Sequence, residues 1–195
     1  ENTEFLGYQS TAQDNVRVLA IYKDGLPVNS VGTESFEQEL VIVLNRTPFY
    51  AESGGQVGDS GIIFKNRETN CLFEVDDTQK IKANVISHYG RLVGGEIKVG
   101  SVVGSLVNQE KRAAAARNHS GTHLMHKALR LILGEHVTQK GSLVDSDKTR
   151  FDFTHNAPVT AEEIAQIEYW VNAQILANTP VDAQVMDIES AKNSG

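Results

Sequence analysis

The chain has 195 residues, a formal net charge of −7 and a single cysteine, Cys71. That length can bury one large hydrophobic core or two small ones, and the lone cysteine excludes an internal disulfide framework and fits a reducing compartment, the cytoplasm. The acidic balance argues against a non-specific nucleic-acid coater, no stretch approaches the ~20 apolar residues of a membrane span, and the first residues lack the basic-then-apolar pattern of a secretory signal.

In chain order, the first hundred or so residues read as β-structure. Val16 to Lys23 is a strand closed by the turn dipeptide Asp24-Gly25. Strands are expected at Glu39 to Leu44, Gly61 to Phe64, Cys71 to Val75 and Ile81 to His88, with Gly, Asn and Asp clusters between them. Turns at Gly90 and at Gly94-Gly95 lead to a further strand, Lys98 to Val103. Short strands with turn signals and no helical period predict a small closed barrel or sandwich.

Within this part, the segment Thr47-Pro48-Phe49-Tyr50-Ala51-Glu52-Ser53-Gly54-Gly55-Gln56-Val57-Gly58-Asp59 is unusual for its glycines. Glycine permits positive φ and close approach of a ligand or another backbone. The segment reads either as a tight β-connection or as a loop lining the mouth of a barrel.

The pattern then changes. Leu106 to Leu133 is expected as one long helix, stopped by Gly134. His119 and His123 lie on it four residues apart and project from one face, so they read either as surface or satisfied core histidines or as a pair able to reach a single metal ion. Such a pair supplies half of a tetrahedral zinc site. His126 and Arg130 continue the stripe, and His126 is expected to be structural or to support the pair from behind. Between Lys111 and Arg150 there are eight Lys and Arg against three acidic residues, a local charge of +5 in an acidic chain. That strip reads either as a solvated helix face or as a surface for phosphates.

A hairpin is expected over Val137 to Val144 and Thr149 to Phe153, turning at Asp145-Ser146-Asp147-Lys148. Thr160-Ala161-Glu162-Glu163 is a capping box that starts a helix through about Leu176. Its apolar stripe is Ile164, Ile167, Val171 and Ile175. Val181 to Met186 is expected as a last strand. The fold class is therefore α+β: a small β-barrel subdomain over 1–104, then an α+β subdomain with a long central helix over 105–195.

Three motifs occur in a fixed order: Thr47–Asp59, His119-Ser120-Gly121-Thr122-His123, and Gln139-Lys140-Gly141-Ser142-Leu143-Val144 followed by Arg150-Phe151-Asp152-Phe153. Together they resemble the editing domain of alanyl-tRNA synthetases and their free-standing AlaX relatives, over nearly the whole chain. The resemblance implies hydrolysis of the ester in tRNA-Ala wrongly charged with serine or glycine. It implies a zinc ion held by His119, His123 and a later C-x-x-x-H pair, which this chain lacks. It further implies that the chain is a piece of a full synthetase, with ATP and magnesium used in an aminoacylation domain elsewhere. The partners implied are the tRNA-Ala acceptor end and the rest of the synthetase chain, with no membrane.

A site that rewards the serine hydroxyl needs small or amide polar groups. Thr122, Gln139, Thr47 and Gln56 are the candidates for catalysis and substrate contact. No Ser-His-Asp or Cys-His arrangement is visible, so no covalent acyl-enzyme is expected. Ser120 stands where a zincin peptidase has glutamate, which argues against peptidase chemistry. Two other readings stay open: a zinc-dependent module that binds the tRNA acceptor stem without catalysis, and a metallohydrolase of small acylated substrates.

Overall fold

A computed structural model of the chain describes residues 2–36, 38–66, 70–82, 84–181 and 184–193. Six strands carry the first part: β1 (Ala12–Lys23), β2 (Glu39–Leu44), β3 (Gly61–Asn66), β4 (Asn70–Lys82), β5 (Val85–Leu92) and β6 (Val102–Val107). They are hydrogen-bonded in the order β6-β3-β4-β5-β2-β1, and β1 pairs back with β6, so the sheet closes into a barrel. Closure leaves no open edge among these strands. Every pairing around the ring is antiparallel. Alternate residues point inward, and Val16, Val18, Ile21, Leu40, Ile42, Leu44, Ile63, Phe73, Val75, Leu92, Val103 and Val107 fill the interior.

The Asp24-Gly25 turn forms as expected. Both residues have positive φ, 51° and 75°, and Lys23 pairs with Leu26 across them. That is the primed hairpin turn whose twist matches right-handed strands. Two expected strands are corrected. The one placed at Ile81–His88 is shared between β4 and β5, whose Lys82 and Val85 pair at the end of a hairpin. The one placed at Lys98–Val103 is broken at Gly100, whose φ of 87° ends a short strand, Ile97–Lys98, before β6 begins. In both places Ile or Val residues stand on each side of a short turn that holds a turn-forming residue, Asn84 or Gly100, so two strands read as one.

Helix α1 (Gln109–Leu133) begins later than Leu106 because Leu106 and Val107 are claimed by β6, which runs past Gly104. Asn108 is the N-cap, its side chain accepting from the Lys111 amide, and Gly134 ends the helix with φ 121°. A hairpin of β7 (Gln139–Val144) and β8 (Thr149–Phe153) lies along α1, and α2 (Ala161–Ala177) packs on the same helix. The Thr160–Glu163 capping box is present in full. A second apolar cluster forms here from Ala128, Leu129, Val137 and Ile167, backed by Met125, Phe151, Phe153, Trp170 and Val171. The expected α2 stripe is buried only at its middle: Ile164 and Ile175 are exposed.

The last strand expected, Val181–Met186, does not form among its described residues; positions 182 and 183 lie outside them. A short helix, α3 (Ile188–Asn193), follows instead. Its first turn is capped by Asp187, which accepts from the amides of Glu189 and Ser190. No helix among the described residues is long and apolar enough to cross a membrane.

Candidate functional site

The segment from Tyr50 to Asp59 is a closed loop with a fixed base. The Tyr50 amide donates to Asp59 Oδ2 at 2.7 Å, and the Asp59 amide donates to the Tyr50 carbonyl at 2.9 Å. Asp59 is buried against Arg112 of the first turns of α1, which also donates to the carbonyls of Gly7 at 3.0 Å and Pro48 at 2.9 Å. One guanidinium fork thus ties the barrel, the loop base and the long helix together.

At the loop tip, Ser53 and Gln56 exchange backbone hydrogen bonds across Gly54 and Gly55, whose φ angles are 60° and 85°. Both angles favour glycine. The tip then docks on β7. The Val144 amide donates to Gly55 at 2.7 Å, and the Val57 amide donates to Val144 at 3.0 Å. A Cβ on Gly55 would sit 2.8 Å from the Ser142 carbonyl, so this approach has room for glycine alone.

Docking carries Gln56 to the histidine pair. His119 Nδ1 is 2.7 Å from Gln56 Oε1. An amide oxygen only accepts, so Nδ1 holds the proton and Nε2 keeps its lone pair. The rings of His119 and His123 stack 5.0 Å apart with planes 13° from parallel. Burial, and then the neighbouring His123, hold the His119 pKa below its ordinary value. A neutral imidazole with its far nitrogen fixed by a hydrogen-bond partner is the state that ligates metals. Among the described residues, no three His, Cys, Asp or Glu side chains group closely enough to hold an ion. These residues therefore fit half of a tetrahedral zinc shell and no more.

Other polar residues of the helix motif hold the hairpin. Thr122 is buried; its hydroxyl donates to the Asn118 carbonyl at 2.8 Å and meets Thr149 Oγ1 at 2.5 Å. Asn118 donates to the Asp145 carbonyl at 2.9 Å. His126, one turn on, rests its ring on Phe151 with centroids 5.0 Å apart. Its Nε2 is buried without a hydrogen-bond partner among the described residues, and burial lowers its pKa.

Thr47 lies within the barrel and Gln139 at the start of β7. Thr47 is wholly buried inside the barrel, with Oγ1 2.8 Å from His88 Nε2. His88 Nδ1 lies 2.9 Å from the Ile42 carbonyl, so Nδ1 donates there and the threonine hydroxyl donates to Nε2. Gln139 is exposed at the opposite end of β7 from Val144, about 16 Å away along the strand. Sequence reasoning missed His88, Arg112 and Asp59 as organising residues. Asp59 stood in the glycine-rich motif, but neither it nor Arg112 announces a partner 53 positions away. Lys111, Arg117, Lys127, Arg130, Lys140, Lys148 and Arg150 are all exposed on α1 and the hairpin, so the basic strip faces solvent.

Residues 1–111 match the family model described as tRNA synthetases class II (A). The chain is 56% identical over 191 residues to an alanine–tRNA ligase of Delftia acidovorans, covering 98% of the chain and 21% of that protein. It is 56% identical over 194 residues to one of Methylobacillus flagellatus, covering 99% and 21% respectively. A third, of Paraburkholderia xenovorans, is 51% identical over 195 residues, covering 100% and 22%. The chain thus spans about a fifth of the length of these relatives.

Proposed function

The chain belongs to the class II tRNA synthetases of the (A) family, and from that membership we propose that it is the hydrolytic editing domain of an alanine–tRNA ligase. Its substrate is the ester of tRNA-Ala wrongly charged with serine or glycine. The observation that carries this reading is the 2.7 Å hydrogen bond between Gln56 of the glycine loop and His119 of the H-x-x-x-H helix. It joins two segments 63 residues apart into one composite site.

Such a site answers a physical need. A pocket for alanine cannot exclude glycine by size, and serine adds one hydroxyl; differences of this kind are worth ~1–3 kcal/mol. A second, hydrolytic site supplies the missing discrimination. An aminoacyl ester is already activated, so the site has to orient it, place a water and hold the developing oxyanion. Gln56 fixes the tautomer of His119. Thr122 and Asn118 lock the helix to the hairpin, so the histidine face stays rigid against the loop. The exposed cations of α1 and the hairpin meet the phosphates of the acceptor end. Thr47, through His88, sets the barrel strand from which the loop departs. His119 and His123 would hold zinc, which supplies Lewis acidity and an anchor for the substrate when bound.

The exposed basic strip also favours a second reading, a module that grips the acceptor stem without chemistry. Deacylation of Ser-tRNA-Ala by the intact protein separates the two. Editing predicts ester loss catalysed by the wild type, with Gln56→Ala slowed about 10- to 100-fold, the usual effect of removing a residue that orients a metal-binding histidine. Alanine charging should stay unchanged, since no ATP-binding motif is legible in this chain. Protection of the ester by the wild type would establish the binding module instead.

A further inference from the structure

Tyr8 is 87% exposed, and the residues on either side of it are tied down by backbone hydrogen bonds. It lies in a tight turn in which the amides of Gln9 and Ser10 both donate to the Leu6 carbonyl, at 3.0 and 3.2 Å. The Leu6 amide donates to Thr47 at 2.8 Å, and the Gly7 carbonyl accepts from Arg112. A Cβ on Gly7 would fall 2.4 Å from both the Phe5 ring and the Pro48 carbonyl, so the turn is packed as tightly as glycine permits. Beneath Tyr8, the Phe5 ring meets it edge-to-face at 5.1 Å and meets Tyr50 at 6.2 Å. The Tyr50 hydroxyl donates to the Ser53 carbonyl at 3.2 Å, at the foot of the Gly54-Gly55 turn.

A singly exposed aromatic calls for no explanation by itself. Here the ring is propped by a second aromatic, fixed by the Arg112 clamp and continuous with the loop that carries Gln56. Arg112 and His119 are seven residues apart on α1, about 10 Å along the axis. That is about three base steps of ~3.4 Å. Lys111, next to Arg112 in the chain, is exposed.

We propose that Tyr8, backed by Phe5 and Tyr50, is a stacking platform for an unpaired base about three steps upstream of the esterified nucleotide at the 3′ end of the tRNA. The proposal rests on the editing reading for the position of the ester. The occupant is single-stranded RNA, because every base offers a π-face to a phenol ring and such stacking tolerates any sequence. The platform sets the distance from the last paired nucleotide to the site, so it contributes to binding of the tRNA and leaves the chemical step alone.

The test uses the intact synthetase and a short RNA helix with an unpaired four-nucleotide NCCA end carrying 2-aminopurine at N, three steps upstream of the 3′-terminal nucleotide. Wild type should quench the fluorescence on binding. Tyr8→Ala should abolish the quench and weaken binding about tenfold, within the range for loss of one stacked base. Tyr8→Phe should retain both, since the ring and not the hydroxyl does the stacking. In deacylation of Ser-tRNA-Ala, Tyr8→Ala should raise KM about tenfold with kcat nearly unchanged. Hydrolysis of 3′-O-seryl adenosine, which has no upstream base, should be unaffected. Unchanged quenching and affinity in Tyr8→Ala would overturn the platform and point to a protein segment as the occupant of this surface. Equal loss on both ester substrates, or a Phe variant no better than Ala, would overturn it in favour of a structural role for the turn. Normal quenching by a wild type that hydrolyses neither ester would support the platform while removing the editing reading.

Discussion

His88 shows how far a single environment can move a residue. It is completely enclosed by the barrel, and burial drives its pKa down to about 4, the bond from Nδ1 to the Ile42 carbonyl opposing this only in part. In the unfolded chain the imidazole titrates near its ordinary value of 6.5. Below that pH the unfolded state binds a proton that the folded state refuses, so stability is lost as pH falls from 6.5 towards 4. The loss from this group is on the order of 3 kcal/mol and levels off below pH 4. Urea unfolding at pH 7, 5.5 and 4.5 should show it, and His88→Gln, which keeps a donor and an acceptor, should flatten that part of the profile. A variant with the wild-type slope would show that other groups carry the acid sensitivity. At this scale the site was only partly legible. Helical spacing alone puts His119 and His123 on one face, whereas nothing near Thr47 in the chain announces that its hydroxyl is committed to His88.

Elements meet through two devices, and each makes a prediction. Arg112 is the partner of a buried carboxylate and of two carbonyls. Arg112→Leu should therefore destabilise by about 3–5 kcal/mol, because it strands a buried charge. Arg112→Lys should recover little, since one ammonium cannot reproduce a planar fork. Thermal melts of the three proteins decide this; a full rescue by lysine would show that charge alone matters. The second device is the loop tip. Gly55→Ala combines φ of 85° with a methyl 2.8 Å from the Ser142 carbonyl, so it should lift the tip from β7 and cut ester hydrolysis about 10- to 100-fold. Gly54→Ala meets open space and should cost only the ~1–2 kcal/mol of a left-handed residue. If the two variants hydrolyse Ser-tRNA-Ala equally, docking of the tip is not what positions Gln56. The elements themselves were readable where chemistry is local, as in the Asp24-Gly25 turn and the Thr160–Glu163 box. They were misread at Ile81–His88 and Val181–Met186, where Ile, Val and Met spaced among polar residues do not say whether the chain turns, pairs or stays unpaired.

For the whole molecule, the metal is the sharpest question. Two imidazoles leave half of a tetrahedral shell to water, and sites with fewer protein ligands hold zinc less tightly. After dialysis against a mild chelator, the intact synthetase should keep one zinc per chain and the 195-residue piece should lose it. His119→Ala or His123→Ala should empty the intact protein while the barrel stays folded, since its core owes nothing to the ion. Equal retention by piece and whole would show that these two histidines suffice. The sequence by itself determined whatever neighbours in the chain decide: alternation in the strands, the long helix, its paired histidines, the caps and the glycine turn. Tertiary structure alone decided that β1 closes on β6, that Thr47 turns inward to His88, that Arg112 clamps Asp59, and that Gln56 reaches His119. Those last three contacts join residues 41, 53 and 63 positions apart. Local backbone preferences act over a few residues, so they cannot select such partners; packing of the closed barrel against the long helix does.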